Sequence, residues 1–216
     1  MLNGPSFIPN NPQNALVLFH GYGADGEDLF ALTSEFKSHF KNMAFFSPNA
    51  PSISLGGGYE WFSLDDYFSK PSLDFEYLKI LERRAIEKLH LVEEYISNIE
   101  KQLHLQRNHI FIAGFSQGGL IASQTAFKSD KEFNGLILMS PVPMATINES
   151  AIKIPVLLTR GLQDYIIPNQ AAELTKPTLI HHNFSVTESI DPFLGHGIGK
   201  QHIDAIIQFM QKHIKS

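Results

Sequence analysis

The chain has 216 residues, of which 43% are apolar and 18% charged, and its formal net charge is −5. This length and composition are typical of a single folded domain, which we expect to span residues 1–216. The sequence has no run of Lys and Arg, so a nucleic-acid partner is not expected. It also has no cysteine, which excludes disulfides and zinc sites built on cysteine.

Residues 1–12 contain no basic segment followed by an apolar run, so the chain shows no secretory signal. No apolar stretch approaches the roughly 18–20 residues that a membrane span requires. The sequence therefore predicts a cytoplasmic protein that is not integral to a membrane.

Short apolar runs alternate with longer segments of helical periodicity along the chain. Strands alternating with helices predict an α/β fold with a mostly parallel sheet and helices on both faces, and ligands bind such sheets at the carboxyl ends of the strands. The segment between residue 47 and about residue 74 is predicted to be irregular. The predicted strands are 15–19, 43–46, 110–113, 135–139, 155–159 and 184–190, and the predicted helices are 28–40, 78–103, 120–127, 168–175 and 198 or 200–214.

The motif Gly114-Phe115-Ser116-Gln117-Gly118 follows the predicted strand 110–113 and precedes a predicted helix. A nucleophile on a sharp turn between a strand and a helix adopts a strained backbone, and side chains at positions 114 and 118 would clash with neighbouring chain. The pattern alone also fits a strand-to-helix connection with a capping serine. The strand before it and the helix after it favour Ser116 as a nucleophile.

A serine nucleophile needs a general base and an acid that orients the base. Where the serine stands on such a turn between a strand and a helix, the chain order is serine, then acid, then histidine. The histidines beyond Ser116 are His181, His182, His196, His202 and His213. His196 is the best candidate because Gly195 and Gly197 flank it, after the last strand and before the last helix. His202 and His213 fall in the final helix and are expected at the surface.

The acid that orients the base is expected at the carboxyl end of another strand. Asp164 satisfies this condition because it follows the predicted strand 155–159 closely. Asp191 is the alternative, but it stands only five residues before His196 and more plausibly serves a turn with Pro192. The sequence therefore favours Asp164.

The oxyanion of an acyl-transfer intermediate needs two or more N–H donors. The residue after the nucleophile supplies one, the backbone of Gln117. The loop after the first predicted strand supplies the other, with Tyr22 as first choice and Gly23 as alternative. This glycine-rich loop lacks the Lys-Ser/Thr ending of a phosphate-binding loop, and His20 at its start is expected to brace it by hydrogen bonds.

Together these motifs resemble the phospholipase/carboxylesterase family, which includes the acyl-protein thioesterases. The resemblance covers roughly residues 15–214. It is carried by the segments 18–26, 47–51, 61–62, 111–119, 161–164 and 195–198, which occur in the order expected for that family.

The resemblance implies a cytosolic serine esterase of the α/β-hydrolase fold, without a large cap domain. It assigns Ser116, Asp164 and His196 to the triad and the backbones of Tyr22 and Gln117 to the oxyanion hole. It also implies that Gly23, Trp61 and Leu162 contact substrate and makes a homodimer plausible. Members act on carboxylic esters, including lysophospholipids and acyl-protein thioesters, and the acyl-enzyme mechanism needs no metal or organic cofactor.

Two positions depart from the family pattern. Arg160 stands where members often have His, and Ser63 stands where many have Asp. We expect both to border the site and to affect substrate preference more than activity. Two other functions stay open at this point: a serine peptidase on the same scaffold, and a binding module that retains the fold without catalysis.

Overall fold

The computed structural model describes residues 1–69 and 73–215. Residues 70–72, within the segment predicted to be irregular, lie outside this range. The strands are β1 (Ser6–Phe7), β2 (Asn14–Phe19), β3 (Met43–Phe46), β4 (Ser52–Ile53), β5 (Tyr59–Glu60), β6 (Ile110–Phe115), β7 (Gly135–Met139), β8 (Val156–Gly161) and β9 (Val186–Asp191). The helices are α1 (Gly26–Phe30), α2 (Thr33–Lys37), α3 (Asp65–Ser69), α4 (Phe75–Leu103), α5 (Gln117–Lys128), α6 (Asn169–His181) and α7 (Lys200–His213).

Seven of these strands form one sheet in the order β1-β3-β2-β6-β7-β8-β9. All neighbours pair in parallel except β1, which runs antiparallel to β3. At the centre, Leu18 pairs with Ala113, which pairs in turn with Ile137. The carboxyl ends of β2, β6, β7, β8 and β9 therefore meet at one edge, as a parallel sheet requires.

Two apolar cores lie on opposite faces of the sheet, and β2 contributes to both because alternate residues of a strand point to opposite faces. Val17 packs with α4 and α5 in one core, while Leu16 and Leu18 pack with α1, α2 and α7 in the other. Both faces are thus covered by helices, which explains why β2 is an unbroken apolar run. The predicted sheet with helices on both faces is confirmed.

Several boundaries differ from the prediction. The segment 28–40 forms two short helices instead of one, since around Leu32 the backbone N–H groups bond to carbonyls three residues back and tighten the turn. Helix α6 continues to His181 through Pro177, because Ala171, Thr175 and Leu179 are buried along one side. The two-residue strands β1, β4 and β5 and the helix α3 were not predicted, and the last three of these lie in the segment that was predicted to be irregular.

The longest helix, α4, is capped at its N-terminus by Asp74, whose side chain accepts the N–H of Tyr77. Apolar residues that recur at helical spacing, such as Leu78, Val92 and Ile99, are buried in the core on one face of the sheet. In the part of the chain that the structure describes, none of the helices is long and apolar enough to cross a bilayer.

Candidate active site

Ser116 occupies the turn between β6 and α5, with φ 53° and ψ −116°. This left-handed φ is unfavourable for a residue with a Cβ, so the turn stores backbone strain. Two hydrogen bonds attach it to the next strand and the loop beyond, in addition to one within the turn from the Gly119 N–H: the Ser116 N–H donates to the Met139 carbonyl at 3.0 Å, and the Ser116 carbonyl accepts the Val142 N–H at 3.0 Å. The neighbouring strand and the loop after it therefore fix the position of the serine.

The glycines on either side of Ser116 permit this turn. A Cβ at position 114 would lie 2.0 Å from the Gly118 carbonyl oxygen, and a Cβ at position 118 would lie 2.0 Å from that of Phe19. Both distances are far shorter than van der Waals contact, so the expected clash at positions 114 and 118 is confirmed.

Asp164 and His196 are in direct contact, with Nδ1 of His196 2.7 Å from Oδ2 of Asp164. The other carboxylate oxygen, Oδ1, accepts the N–H groups of Ile166 and Ile167 at 2.9 and 2.8 Å. Burial by itself raises the pKa of Asp164, but the bonds from His196 and from these backbone groups outweigh it and hold this pKa below its ordinary value. Asp164 is thus a carboxylate fixed to one nitrogen of the imidazole.

His196 and Ser116 line the same pocket. The ring of Phe115, the residue before the serine, lies 4.8 Å from the imidazole ring. Since Nδ1 of His196 is bound to Asp164, Nε2 is the nitrogen left for a partner in the pocket. The structure therefore brings together the serine, histidine and aspartate that the sequence singled out.

The alternative acid, Asp191, and one of the other histidines, His202, do not take part in this contact. Asp191 accepts the N–H of Phe193 at 2.9 Å, as expected of a turn residue. His202 was expected at the surface, and this is wrong: its side chain is fully buried on the inner side of α7, and burial lowers its pKa. His202 stands four and seven residues before the buried Ile206 and Phe209, so it shares their inner side of the helix.

Gln117 is the first residue of α5, so its backbone N–H has no acceptor within the helix. Its side chain is fully buried and makes two hydrogen bonds. The amide oxygen accepts the backbone N–H of Trp61 at 2.8 Å, and the amide nitrogen donates to the Phe62 carbonyl at 2.7 Å. Tyr22 lines the pocket beside Ser116. The Gly23 N–H is engaged with the Tyr59 carbonyl at 2.9 Å, which disfavours Gly23 as the second oxyanion donor.

His20 braces the loop that carries Tyr22, as predicted. Its Nε2 accepts the Ala50 N–H at 3.0 Å, so Nδ1 carries the proton and donates to the Gly21 carbonyl at 2.7 Å. Burial lowers the pKa of His20, in keeping with this neutral imidazole. The Trp61 indole donates to the His20 carbonyl at 2.9 Å and adds a further restraint.

The pocket beside Ser116 has a volume of about 320 Å³ and a mainly apolar lining. None of the three predicted substrate contacts, Gly23, Trp61 and Leu162, is among its lining residues. Trp61 is fully buried behind the pocket and Leu162 is 40% exposed outside it, so the structure does not support direct substrate contact by either. The described residues that line it are Gly21, Tyr22, Ala24, Leu64, Tyr67, Leu73, Leu81, Phe115, Ser116, Gln117, Val142, Ile166, Ile167 and His196.

The two departures from the family pattern also lie outside the pocket lining. Arg160 is buried between β8 and α6, where Nη1 donates to the Asn169 side chain at 3.2 Å and Nε lies 3.5 Å from the Glu188 carboxylate. Ser63 offers its carbonyl to Arg84 at 2.8 Å. Neither residue therefore lines the pocket beside Ser116, although Arg160 lines a small separate cavity together with Asp164.

Comparison with known proteins agrees with this architecture. The family model described as Phospholipase/Carboxylesterase matches residues 9–214. Acyl-protein thioesterase 1 of Schizosaccharomyces pombe is 27% identical over 227 residues, covering 100% of this chain and 98% of that protein.

Two solved structures are similar to this one over almost their whole length. The crystal structure of esterase PE8 has a TM-score of 0.89 and 28% identity, covering 98% of this chain and 99% of that chain. Arabidopsis thaliana SOBER1, at 22% identity, shares the fold with a TM-score of 0.79 over 94% of this chain and 100% of that chain. With a match from residue 9 to residue 214, this chain belongs to the phospholipase/carboxylesterase family and is a carboxylesterase-type hydrolase of the α/β-hydrolase fold.

Proposed function

We propose that this protein is a serine esterase in which Ser116 is the nucleophile, His196 the general base and Asp164 the residue that orients it. The observation that carries the proposal is the 2.7 Å contact between Asp164 and His196, with His196 at the wall of the pocket that also contains Ser116. A hydroxyl is a weak nucleophile near neutral pH, and a base oriented by a carboxylate supplies the activation it needs.

In the first step, the Ser116 oxygen attacks the carbonyl carbon of the ester while His196 takes the hydroxyl proton on Nε2. The resulting tetrahedral intermediate collapses, the bond to the leaving oxygen or sulfur breaks, and His196 returns the proton to that leaving group. Water then attacks the acyl-enzyme with His196 again as base, and the free acid departs. Asp164 stabilises the imidazolium that forms in each step.

The negative oxygen of the intermediate would be stabilised by the backbone N–H groups of Gln117 and Tyr22. The position of Gln117 at the start of α5 supports this role, because the N-terminus of a helix carries partial positive charge. Engagement of the Gly23 N–H with Tyr59 favours Tyr22 as the second donor.

The pocket supports an acyl group of short to medium length as the part of the substrate that binds beside Ser116. Its volume of 320 Å³ lies at the small end of the roughly 300–1,000 Å³ found for ligand pockets. The leaving group is an alcohol or a thiol, since the similar proteins include both an esterase and an acyl-protein thioesterase. The single domain, the cytoplasmic location and the homodimer stay predictions.

A series of p-nitrophenyl esters from acetate to palmitate, matched with thioesters, tests the proposal. We expect kcat/KM to rise by up to about fourfold for each methylene added to the acyl chain, until the pocket is full. Burial of one methylene contributes about 0.8 kcal/mol, which corresponds to that factor. Ser116→Ala should lower kcat at least about 10³-fold while the protein stays folded.

The matched control is Ser123→Ala on α5, whose hydroxyl bonds to the Leu120 carbonyl within the helix. This variant should retain turnover within about threefold, because a local helix hydrogen bond contributes little to the site. Retention of more than a few per cent of turnover in Ser116→Ala would refute the assignment. Faster cleavage of peptide amides than of esters would favour a peptidase, and a folded chain without any hydrolysis would favour a binding module.

A further inference from the structure

The segment 63–67, which precedes and begins α3, is attached to α4 by the guanidinium of Arg84. Nη1 donates to the Ser63 carbonyl and to Oδ1 of Asp66, both at 2.8 Å, and Nη2 donates to Oδ2 of Asp66 at 2.8 Å. The Arg84–Asp66 pair is therefore bidentate, a geometry that fixes orientation as well as distance.

Tyr77 adds a second attachment between the same two elements. Its hydroxyl donates to Oδ1 of Asp66 at 2.9 Å, and its ring stacks on that of Tyr67 with centroids 6.0 Å apart. Burial and the hydrogen bond to Asp66 raise the pKa of Tyr77 to about 12, so the hydroxyl stays a donor at any ordinary assay pH.

These contacts concern the pocket because both elements line it. Tyr77, Leu81 and Arg84 follow one another at helical spacing on α4, so they share one side of the helix. Leu81 lies in the pocket wall, and so do Leu64 and Tyr67 from the attached segment. The helix thus provides one wall directly and holds the adjacent wall through Arg84 and Tyr77.

We propose that Asp66 and Arg84 are positioning residues that set the acyl-chain preference of the enzyme, by holding Leu64 and Tyr67 as a wall of the acyl pocket. The inference rests on the proposed function of Ser116. Asp66 and Arg84 are not themselves among the pocket-lining residues, so they act through the two side chains they hold in place.

The expected effect follows from how far an acyl chain reaches. An acetyl group stays beside Ser116, whereas an octanoyl chain extends along the pocket and gains free energy from each apolar wall it contacts. Loosening one wall should therefore weaken binding of octanoate more than that of acetate. The Arg84 and Asp66 side chains are 30% and 46% exposed, so their pairing contributes little to global stability and the variants should fold.

The test uses the full-length protein with Asp66→Asn, Arg84→Met and the double variant, assayed on p-nitrophenyl acetate and octanoate. Each single variant should lower the ratio of kcat/KM for octanoate to that for acetate by about three- to tenfold, as expected for loss of charged hydrogen bonds. The loss should appear in KM for octanoate. The double variant should lose less than the product of the two single effects, because both remove the Arg84–Asp66 pair, while Arg84→Met also removes the bond to the Ser63 carbonyl.

Tyr77→Phe provides a milder test that keeps the stacked ring and removes only the hydroxyl. We expect it to lower the octanoate-to-acetate ratio by about two- to threefold. The control removes another ion pair from the same helix: Glu76 and Lys79 are 3.0 Å apart and largely exposed, and the double variant Glu76→Gln/Lys79→Met should leave the ratio unchanged.

An unchanged ratio in folded Asp66→Asn, Arg84→Met and Tyr77→Phe would overturn the inference. So would an equal fall in kcat for both substrates, since that would mean a general disturbance of the site. If the charged variants did not fold, Tyr77→Phe alone would decide. Failure of the proposed function would look different: the unaltered chain would show no hydrolysis of acetate that depends on Ser116.

Discussion

The imidazole of His196 and the carboxylate of Asp164 meet at 2.7 Å, although 32 residues separate them in the chain. They come from the loops after β9 and β8, which are neighbouring parallel strands. The variant Asp164→Asn keeps the shape of the side chain but removes its charge. The amide would no longer stabilise the imidazolium or select the correct tautomer of His196. We expect kcat for p-nitrophenyl butyrate to fall by about 10³- to 10⁴-fold while the protein stays folded. A loss of less than tenfold would exclude this role.

Asp164 should also contribute to stability in a manner that depends on pH. Its pKa is lowered in the folded protein, so its contribution is present above the unfolded pKa of about 3.9 and is lost as pH falls through the folded value. The difference in the free energy of unfolding between the native protein and Asp164→Asn should therefore shrink steadily below about pH 5. Urea unfolding at a series of pH values measures it, and a difference that stayed constant from pH 7 to pH 3 would contradict the prediction.

The strained backbone of Ser116 predicts an unusual order of stability among inactive variants. With φ at 53°, alanine keeps the unfavourable conformation, whereas glycine adopts it without steric cost. Ser116→Gly should be more stable than Ser116→Ala by about 1 kcal/mol, although glycine is normally the less favourable residue. Chemical unfolding of the two variants side by side provides the measurement, and equal stability would show that the turn is unstrained.

The side chain of Gln117 joins the nucleophile turn to the segment after β5. Gln117→Leu would leave the Trp61 N–H and the Phe62 carbonyl buried without partners, and should reduce the free energy of unfolding by about 2–4 kcal/mol. Gln124→Leu is the matched control, since the Gln124 amide nitrogen is buried without an acceptor among the described residues. If the two substitutions were equally destabilising, the bonds of Gln117 would have no special importance.

Much of the fold was predictable because the sheet is covered on both faces. Strands such as β2 and β6 then appear as continuous apolar runs, and the long helix α4 shows a clear periodicity. The elements that were missed are the two-residue strands and the short helix α3, and the break between α1 and α2 was missed as well. Their hydrogen bonds depend on partners distant in sequence or on tight local turns, neither of which produces a periodic pattern.

The polar part of the candidate site could be predicted and the apolar part could not. Ser116, Asp164 and His196 follow strand ends, and parallel strands bring their carboxyl ends to one edge. The pocket wall consists of residues such as Leu64, Leu81 and Val142, which in sequence are indistinguishable from core residues. Trp61 illustrates the converse, because its motif indicated the pocket while its indole lies buried behind it, bonded to the His20 carbonyl.

The most direct test of the central proposal is labelling with a fluorophosphonate, which reacts with serines activated as nucleophiles. Intact mass spectrometry should show one label per chain, and peptide mapping should place it on Ser116. Labelling should be absent in Ser116→Ala, much slower in His196→Ala, and unaffected in the control Ser123→Ala. A native chain that stayed unlabelled, or that carried the label on another residue, would contradict the assignment of Ser116 as the nucleophile.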